Sequence, residues 1–198
     1  MVTAERLIKS LHNRASAVGG RLRGIVMRAT HANAWSVGSG FDVGTNVRIG
    51  LYGRMRIGKN VKLSDGCNLV VGPGAELHLG DDVFVGRNTV IAAGVSIRIG
   101  NGTDIAEHCT IRDADHALDP AERREGKATF SPISIGARSW LGAGVRVLKG
   151  SQLGEGVVVG ANAVVRGSFE SHSVVAGVPA RIIRKLQGGE ICPESRIP

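Results

Sequence analysis

Asp113-Ala114-Asp115-His116 places an imidazole three residues after one carboxylate and directly after another. Histidine is the side chain best matched to accept a proton near neutral pH. A carboxylate or a backbone carbonyl that holds one ring nitrogen leaves the other free to face a hydroxyl. Asp115 and His116 are adjacent, so on an extended strand they point to opposite faces, and the sequence leaves open which carboxylate orients the ring. A lone surface histidine needs no chemistry. What singles this one out is the segment that follows, Ala117 to Ser131, which has no regular pattern and carries Asp119, Pro120, Glu122, Arg123, Arg124, Glu125, Gly126 and Lys127. Long irregular segments inside ordered domains are commonly functional. This one reads as a polar arm.

The arm interrupts a six-residue repeat. Fourteen hexads start at Val43, Ile57, Leu63, Val71, Leu79, Val85, Ile91, Ile99, Ile105, Ile135, Leu141, Val147, Leu153 and Val159. Four places after each starter stands a small or β-branched residue: Val47, Val61, Cys67, Ala75, Val83, Thr89, Val95, Thr103, Cys109, Ser139, Val145, Ser151, Val157 or Ala163. Gly or Ala follows the starter in all but two hexads, those with Ser64 and Leu148. The next hexad begins in register at Ile111, puts Asp115 at the small position, and stops at His116.

Such a short period means thin coils stacked on one another. Starter and small residue share an inward face, and the Gly or Ala after the starter suits a tight corner, with Gly free to take positive φ. Three hexads make one triangular turn, so the fold class is all-β, a parallel β-helix. Eight-residue gaps, as from Leu63 to Val71, keep the alternation in phase. The run Ile135 to Val159 has none and should be the most regular part. A coil cannot lose its register casually, since each turn is covered by the next.

With 198 residues the chain suffices for one domain with a real core. Aromatics make up only 4%, which fits a narrow interior filled by Val, Ile, Leu, Ala and Thr. Residues 1–42 are read as an N-terminal helical and basic cap, 43–180 as the β-helix domain with its loop at 117–131, and 181–198 as a C-terminal helix and tail. Glu5 to Arg14 is expected to be a short helix ended by Gly19 and Gly20, with Leu22, Ile25, Val26 and Met27 as a second apolar stretch. Arg6, Lys9, Arg14, Arg21, Arg23 and Arg28 stand against Glu5 there, a large share of the formal charge of +8. This region either covers the open end of the coil or forms a basic amphipathic surface for anionic lipid through residues 1–30; both can hold. Charges elsewhere are mixed and no nucleic-acid motif appears, so nucleic acid is not the expected partner despite a pI near 10.1. Neither a bilayer-spanning apolar run nor a signal-peptide pattern is present, which reads as a cytoplasmic protein. Cys67 and Cys109 fall at inward positions and Cys192 in the tail, with no metal-ligand spacing. Arg181 to Leu186 is expected to form one or two helical turns.

The segment Ile111 to His116, the arm, and then Ser131-Pro132-Ile133-Ser134-Ile135-Gly136-Ala137-Arg138-Ser139-Trp140-Leu141-Gly142 resemble the hexapeptide-repeat acetyltransferases. The nearest groups are the galactoside and maltose acetyltransferases and the O-acetyltransferases of capsule, exopolysaccharide and lipopolysaccharide synthesis. Val159 to Val165, followed by Val175-Ala176-Gly177-Val178-Pro179-Ala180-Arg181, resembles their coenzyme A end. The resemblance implies a left-handed coil, a homotrimer, and acetyl-CoA lying along the prism between neighbouring subunits, with no metal. It implies that His116, with Asp113 and Asp115 beside it, acts as general base on an acceptor hydroxyl that attacks the thioester directly in a ternary complex. It also implies an oxyanion N–H near Ala143, Trp140 near the thioester, backbone contacts from Gly142, Ala143 and Ala161 to the coenzyme, and phosphate contacts from Arg181 and also Arg166, Arg184 and Lys185. The implied acceptor is a sugar hydroxyl of a bacterial surface polysaccharide or glycan. The sequence departs from the family in Lys149, where Pro is frequent, and in Gly167-Ser168, where a basic-acidic pair is common.

Three other readings stand beside this one. The same base and coenzyme would serve N-acetylation of an amino sugar. His78, His108 and His116 could in principle gather zinc, as in the related γ-carbonic anhydrases, although the spacing of His108 and His116 differs from that family's ligand pattern. A non-catalytic β-helix scaffold is the third, and the break at His116 argues against it.

Overall fold

The computed structural model describes residues 19–25 and 35–186. Short strands of alternating burial form three faces of a prism, stacked in parallel as a left-handed β-helix of about seven turns. One face begins with Trp35–Val37 and Arg54–Ile57, the second with Asp42–Val43 and Lys62–Leu63, and the third with Arg48–Leu51 and Asn68–Val71. Strand residues of the prism pair in register with their counterparts in the next coil; Ile111, for instance, lies between Ile91 and Val147. All fourteen starters are buried. Each gains the roughly 1.5–3 kcal/mol of an apolar side chain withdrawn from water. From Ile133–Ile135 to Val164–Val165 the strands recur every six residues without insertion.

The small inward position has a second task. Where it is polar, its side chain donates to a carbonyl of the following coil: Thr89 to Ala106 O (3.1 Å), Thr103 to Gly136 O (3.1 Å), Ser151 to Val165 O (3.1 Å). Cys67 and Cys109 do the same toward Gly86 O and Gly142 O. These buried donors are thereby satisfied inside an otherwise apolar column.

The corners turn at a different residue from the one expected. The glycine after the starter does not take positive φ; the residue two places later does, in thirteen of the fourteen hexads, as Asn46, Asn60, Asp82, Asn88, His108, Arg138, Asn162 or Gly. Asn and Asp tolerate the left-handed region better than other side chains. The glycine after the starter is required for another reason. A Cβ on Gly136 would lie 2.4 Å from Gly154 C, so at that corner only glycine fits, whereas Ser64, Ala92, Ala106 and Leu148 hold the same position in other coils.

The exception is the hexad at Ile91. Val95, expected inward, is 41% exposed. Ile91 and Ala93 both point into the core, stacked on Leu69 and Val71. The corner therefore falls two residues later and is shortened to Gly94-Val95 before the strand Ser96–Ile99.

Both ends also differ from the expectation. The coil starts at Trp35, not Val43: Trp35 pairs with Met55, and Trp35 meets Phe41 edge to face at 6.3 Å in the first corner. Gly19 and Gly20 do not end a helix; they lie in helical residues 19–25. Glycine is needed here for contact, since a Cβ on Gly24 would sit 2.5 Å from Phe41 O. Arg23 Nε donates to Val43 O (2.8 Å), which seats this turn on the first coil. The proposed helix Glu5 to Arg14, Val26, Met27 and Cys192 lie outside the described residues. Ala180–Lys185 is a strand and not a helix, antiparallel to Ser173–Gly177. The last coil leaves an open sheet edge, and the β-branched pair Ile182-Ile183 suits the strand that covers it. No helix among the described residues is long and apolar enough to cross a membrane.

Candidate active site

The arm is built from the third face outward. Strand Thr110–Arg112 delivers the chain to a corner where Asp113, not Asp115, takes the inward place: its side chain is 0% exposed. Its carboxylate accepts the N–H groups of Gly94 (2.6 Å), Val95 (2.9 Å) and Ser96 (2.7 Å), all from the shortened corner of the preceding coil. Ser131 N–H donates to Asp113 O (3.0 Å), so the same residue holds both ends of the arm.

The arm is ordered, contrary to the irregular loop expected. Ala114–His116 pairs antiparallel with Ala128–Phe130, Asp115 facing Thr129 and His116 facing Ala128. A helical turn, Pro120–Arg124, forms the tip, capped by Asp119 Oδ1 accepting from Ala121 N (2.9 Å) and Glu122 N (3.0 Å). Lys127 pairs with Glu122 and Glu125, so the tip's charges answer one another. His116 stands exposed on the hairpin, and its ring has no hydrogen-bond partner among the described residues. Asp115 does not hold it; that carboxylate faces Lys149 Nζ at 3.7 Å.

A second cluster lies on another edge of the prism, between the second and third faces. Leu141 ends a second-face strand and Arg146 opens a third-face strand; Gly142, Ala143 and Gly144 turn the corner between them. Gly142 is buried, and a Cβ there would meet Ala161 N at 2.8 Å. Behind it, Cys109 Sγ donates to Gly142 O (3.3 Å). Burial pushes the Cys109 thiol pKa up, and that of Cys67 up to about 11, so both are inert core donors. Ala143 N–H has no acceptor among the described residues. In an earlier coil the equivalent N–H of Thr45 is taken by Asp65 Oδ1 (2.7 Å), but Ala161, stacked beyond Ala143, has no polar side chain. Trp140 projects from the second face, 44% exposed, in line with Asp104 and Val158.

The cationic residues separate. Arg166 is exposed at the end of the third face, on the arm's edge of the prism. Arg181 lies on the terminal strand opposite Ala176, with one guanidinium N–H on Ala180 O (2.8 Å). Lys185 is engaged by Glu170, whose carboxyl it holds below the usual range. Arg184 pairs with Val174 in register. The three histidines do not gather: His78 faces outward on the first face, His108 forms a corner, and His116 is on the arm. Among the described residues no group of three or more metal-ligating side chains occurs.

Within one chain, then, Gly142, Ala143, Ala161 and Trp140 come together on one side, and Asp113, Asp115, His116 and Lys149 on another. Lys149 was visible in the sequence only as a departure from pattern; its partners stand in the preceding coil.

Residues 132–167 match the family described as bacterial transferase hexapeptide (six repeats), and residues 77–106 match the hexapeptide repeat of succinyl-transferase. These two stretches carry hexapeptide repeats. The chain is 60% identical over 55 residues, 28% of each chain, to an Escherichia coli K12 protein named as a lipopolysaccharide biosynthesis O-acetyl transferase, WbbJ. It is 37% identical over 81 residues to a Mycobacterium tuberculosis protein named as an acetyltransferase, covering 40% of this chain and 27% of that one. The chain thus spans less than a third of the length of either relative. Its fold is shared with AntD, an N-acyltransferase from Bacillus cereus solved with dTDP and 3-hydroxybutyryl-CoA: 21% identity, 76% and 82% of the two chains, TM-score 0.67. It is shared too with a maltose O-acetyltransferase from Clostridium difficile 630: 24% identity, 86% and 88% of the chains, TM-score 0.58.

Proposed function

We propose that this protein is an acetyl-CoA-dependent O-acetyltransferase acting on a sugar hydroxyl of a bacterial surface glycan, working as a homotrimer. The carrying observation is that the break in the coil presents His116, whose imidazole has no partner among the described residues, on an arm at an edge of the prism. The Ala143 N–H, without an acceptor among the described residues, stands on a different edge. A second copy that lays its Ala143 edge against the arm would complete the site, which is what closed symmetry offers. The names of the matched relatives agree with this chemistry.

In this reading His116 takes the proton of the acceptor hydroxyl as its oxygen bonds to the acyl carbon. Ala143 N–H meets the charge that develops on the carbonyl oxygen. As the carbon–sulfur bond breaks, the proton passes from His116 to the departing sulfur. Gly142 and Ala161 leave the corner low enough for an extended thiol arm, Trp140 walls it, and Arg181 and Arg166 are cations available to phosphates. Lys185 is excluded from that role while Glu170 holds it. Asp113 acts through structure, with every carboxylate contact on backbone. A coenzyme A thioester donor places the reaction in the cytoplasm.

Calorimetry with acetyl-CoA on the wild type and His116→Ala tests this reading. Saturable binding in both, with thiol release lost only in the variant, is expected. No binding in either removes the acyltransferase. Amino sugars offered beside hydroxyl acceptors decide between O- and N-transfer.

A further inference from the structure

A three-rung hairpin projecting from a prism should not hold its shape unaided. Isolated two-stranded hairpins are marginal in water, and this one buries little: Asp115, His116, Thr129 and Phe130 are all exposed. Yet a group that must meet a hydroxyl within hydrogen-bond reach has to be held to a fraction of an ångström. Something on the coil must fix the arm beyond its base.

The base is held by Asp113, and one flank by Phe130, whose ring covers Gly94 so closely that a Cβ there would meet Phe130 Cε1 at 2.4 Å. Side chains alternate along each strand, so Ala114, His116, Ala128 and Phe130 share one face of the hairpin, and Asp115 and Thr129 share the other. It is onto this second face that Lys149 reaches from the following coil. Its ammonium donates to Thr129 Oγ1 and lies 3.7 Å from Asp115 Oδ2. Thr129 Oγ1 in turn donates to Asp115 O (3.4 Å). Asp115 and Thr129 face each other across the hairpin, one rung before His116 and Ala128. The lysine thus bridges both strands of the arm from beneath and is itself only 25% exposed.

We propose that Lys149 is a positioning residue: it clamps the hairpin between itself and the Phe130–Gly94 contact, and so fixes the direction in which His116 points. The proposal rests on the acyl-transfer reading for its purpose and on the geometry alone for its existence. As a surface ion pair the contact would contribute little to stability. Its effect is on the order of the arm, and it belongs to this chain's own residue at 149.

The test uses the full chain and three variants, Lys149→Met, Lys149→Arg and Asp115→Asn. Hydrogen exchange at Asp115 and Thr129 is expected to rise at least about tenfold in Lys149→Met, in line with local opening. It should recover in Lys149→Arg, with acetyl-CoA affinity within about twofold of wild type. Adding Asp115→Asn to Lys149→Met should cost no further protection, since residues acting through one contact are not additive. With p-nitrophenyl β-galactoside as probe acceptor, kcat should fall about tenfold in Lys149→Met and KM for acetyl-CoA should stay. Exchange in Lys149→Met equal to wild type overturns the clamp, as does a uniform rise across the whole coil. A wild type that binds no acetyl-CoA, but shows the exchange difference, counts against the transferase and in favour of the clamp.

Discussion

Replacing Asp113 tests whether the break in the coil is a built feature. The carboxylate receives three backbone N–H groups at 2.6, 2.9 and 2.7 Å and is wholly buried. A hydrogen bond to a charged group contributes about 1.5–3 kcal/mol, and a buried donor left without a partner costs about 1–3 kcal/mol. The three bonds share one acceptor group and are not independent, so Asp113→Ala should lower stability by about 3–5 kcal/mol. For a chain of this size that corresponds to a fall in Tm of roughly 6–20 °C. Asp113→Asn is the sharper variant. It keeps the shape but turns one oxygen into an NH2 that faces an N–H donor, so it should cost at least about 2 kcal/mol. Thermal unfolding followed by circular dichroism reads the first effect. Because stacked coils can open locally, hydrogen exchange at Gly94, Val95 and Ser96 must accompany it, and protection there should fall in both variants. A Tm within about 2 °C of wild type in Asp113→Asn, with protection at those three amides intact, would refute the account of the corner.

Gly142→Val should disrupt the Ala143 corner, since a Cβ already meets Ala161 N at 2.8 Å; a stability loss of about 1–3 kcal/mol and weakened acetyl-CoA binding by calorimetry are expected. Trp140→Ala exposes no core, so it should leave Tm unchanged and weaken coenzyme binding about tenfold, measured by titration. Native protein treated with iodoacetamide at pH 8 should leave Cys67 and Cys109 unmodified in peptide mass spectra, because both thiols are buried and their pKa values raised. The Thr45 N–H and hydroxyl hold the Asp65 carboxyl below its ordinary range. Its contribution is therefore present above the ordinary aspartate pKa and lost as pH falls through the lower folded value; Asp65→Asn should flatten the acid limb of a stability–pH curve, and an unchanged limb would count against that bond.

What the sequence determined by itself is whatever depends on neighbours along the chain. Alternation puts Ile111, Leu141 and their kind inside a strand wherever that strand lies, so the hexads gave the prism, its narrow aliphatic core, and the place where it breaks at His116. The third residue after each starter is an equally local signal: Asn, Asp and Gly concentrate there because the corner turns through the left-handed region. What only the tertiary structure decided is what one coil does to the next. Val95 is exposed because Ala93 stacks on Val71, twenty-two residues earlier. Gly19 and Gly20 look like helix breakers until Asp42 and Phe41 are seen to press on this helical turn. Arg181 to Lys185 is a strand because the last coil offers an unpaired edge. Asp113 reads as a partner for the imidazole until its carboxylate is found turned inward onto backbone, and Lys149 reads as a lapse in pattern until it is found beneath the arm. Apart from the terminal strand, each of these contacts joins residues roughly one coil or more apart, and period and composition carry no information about which side chain sits above which.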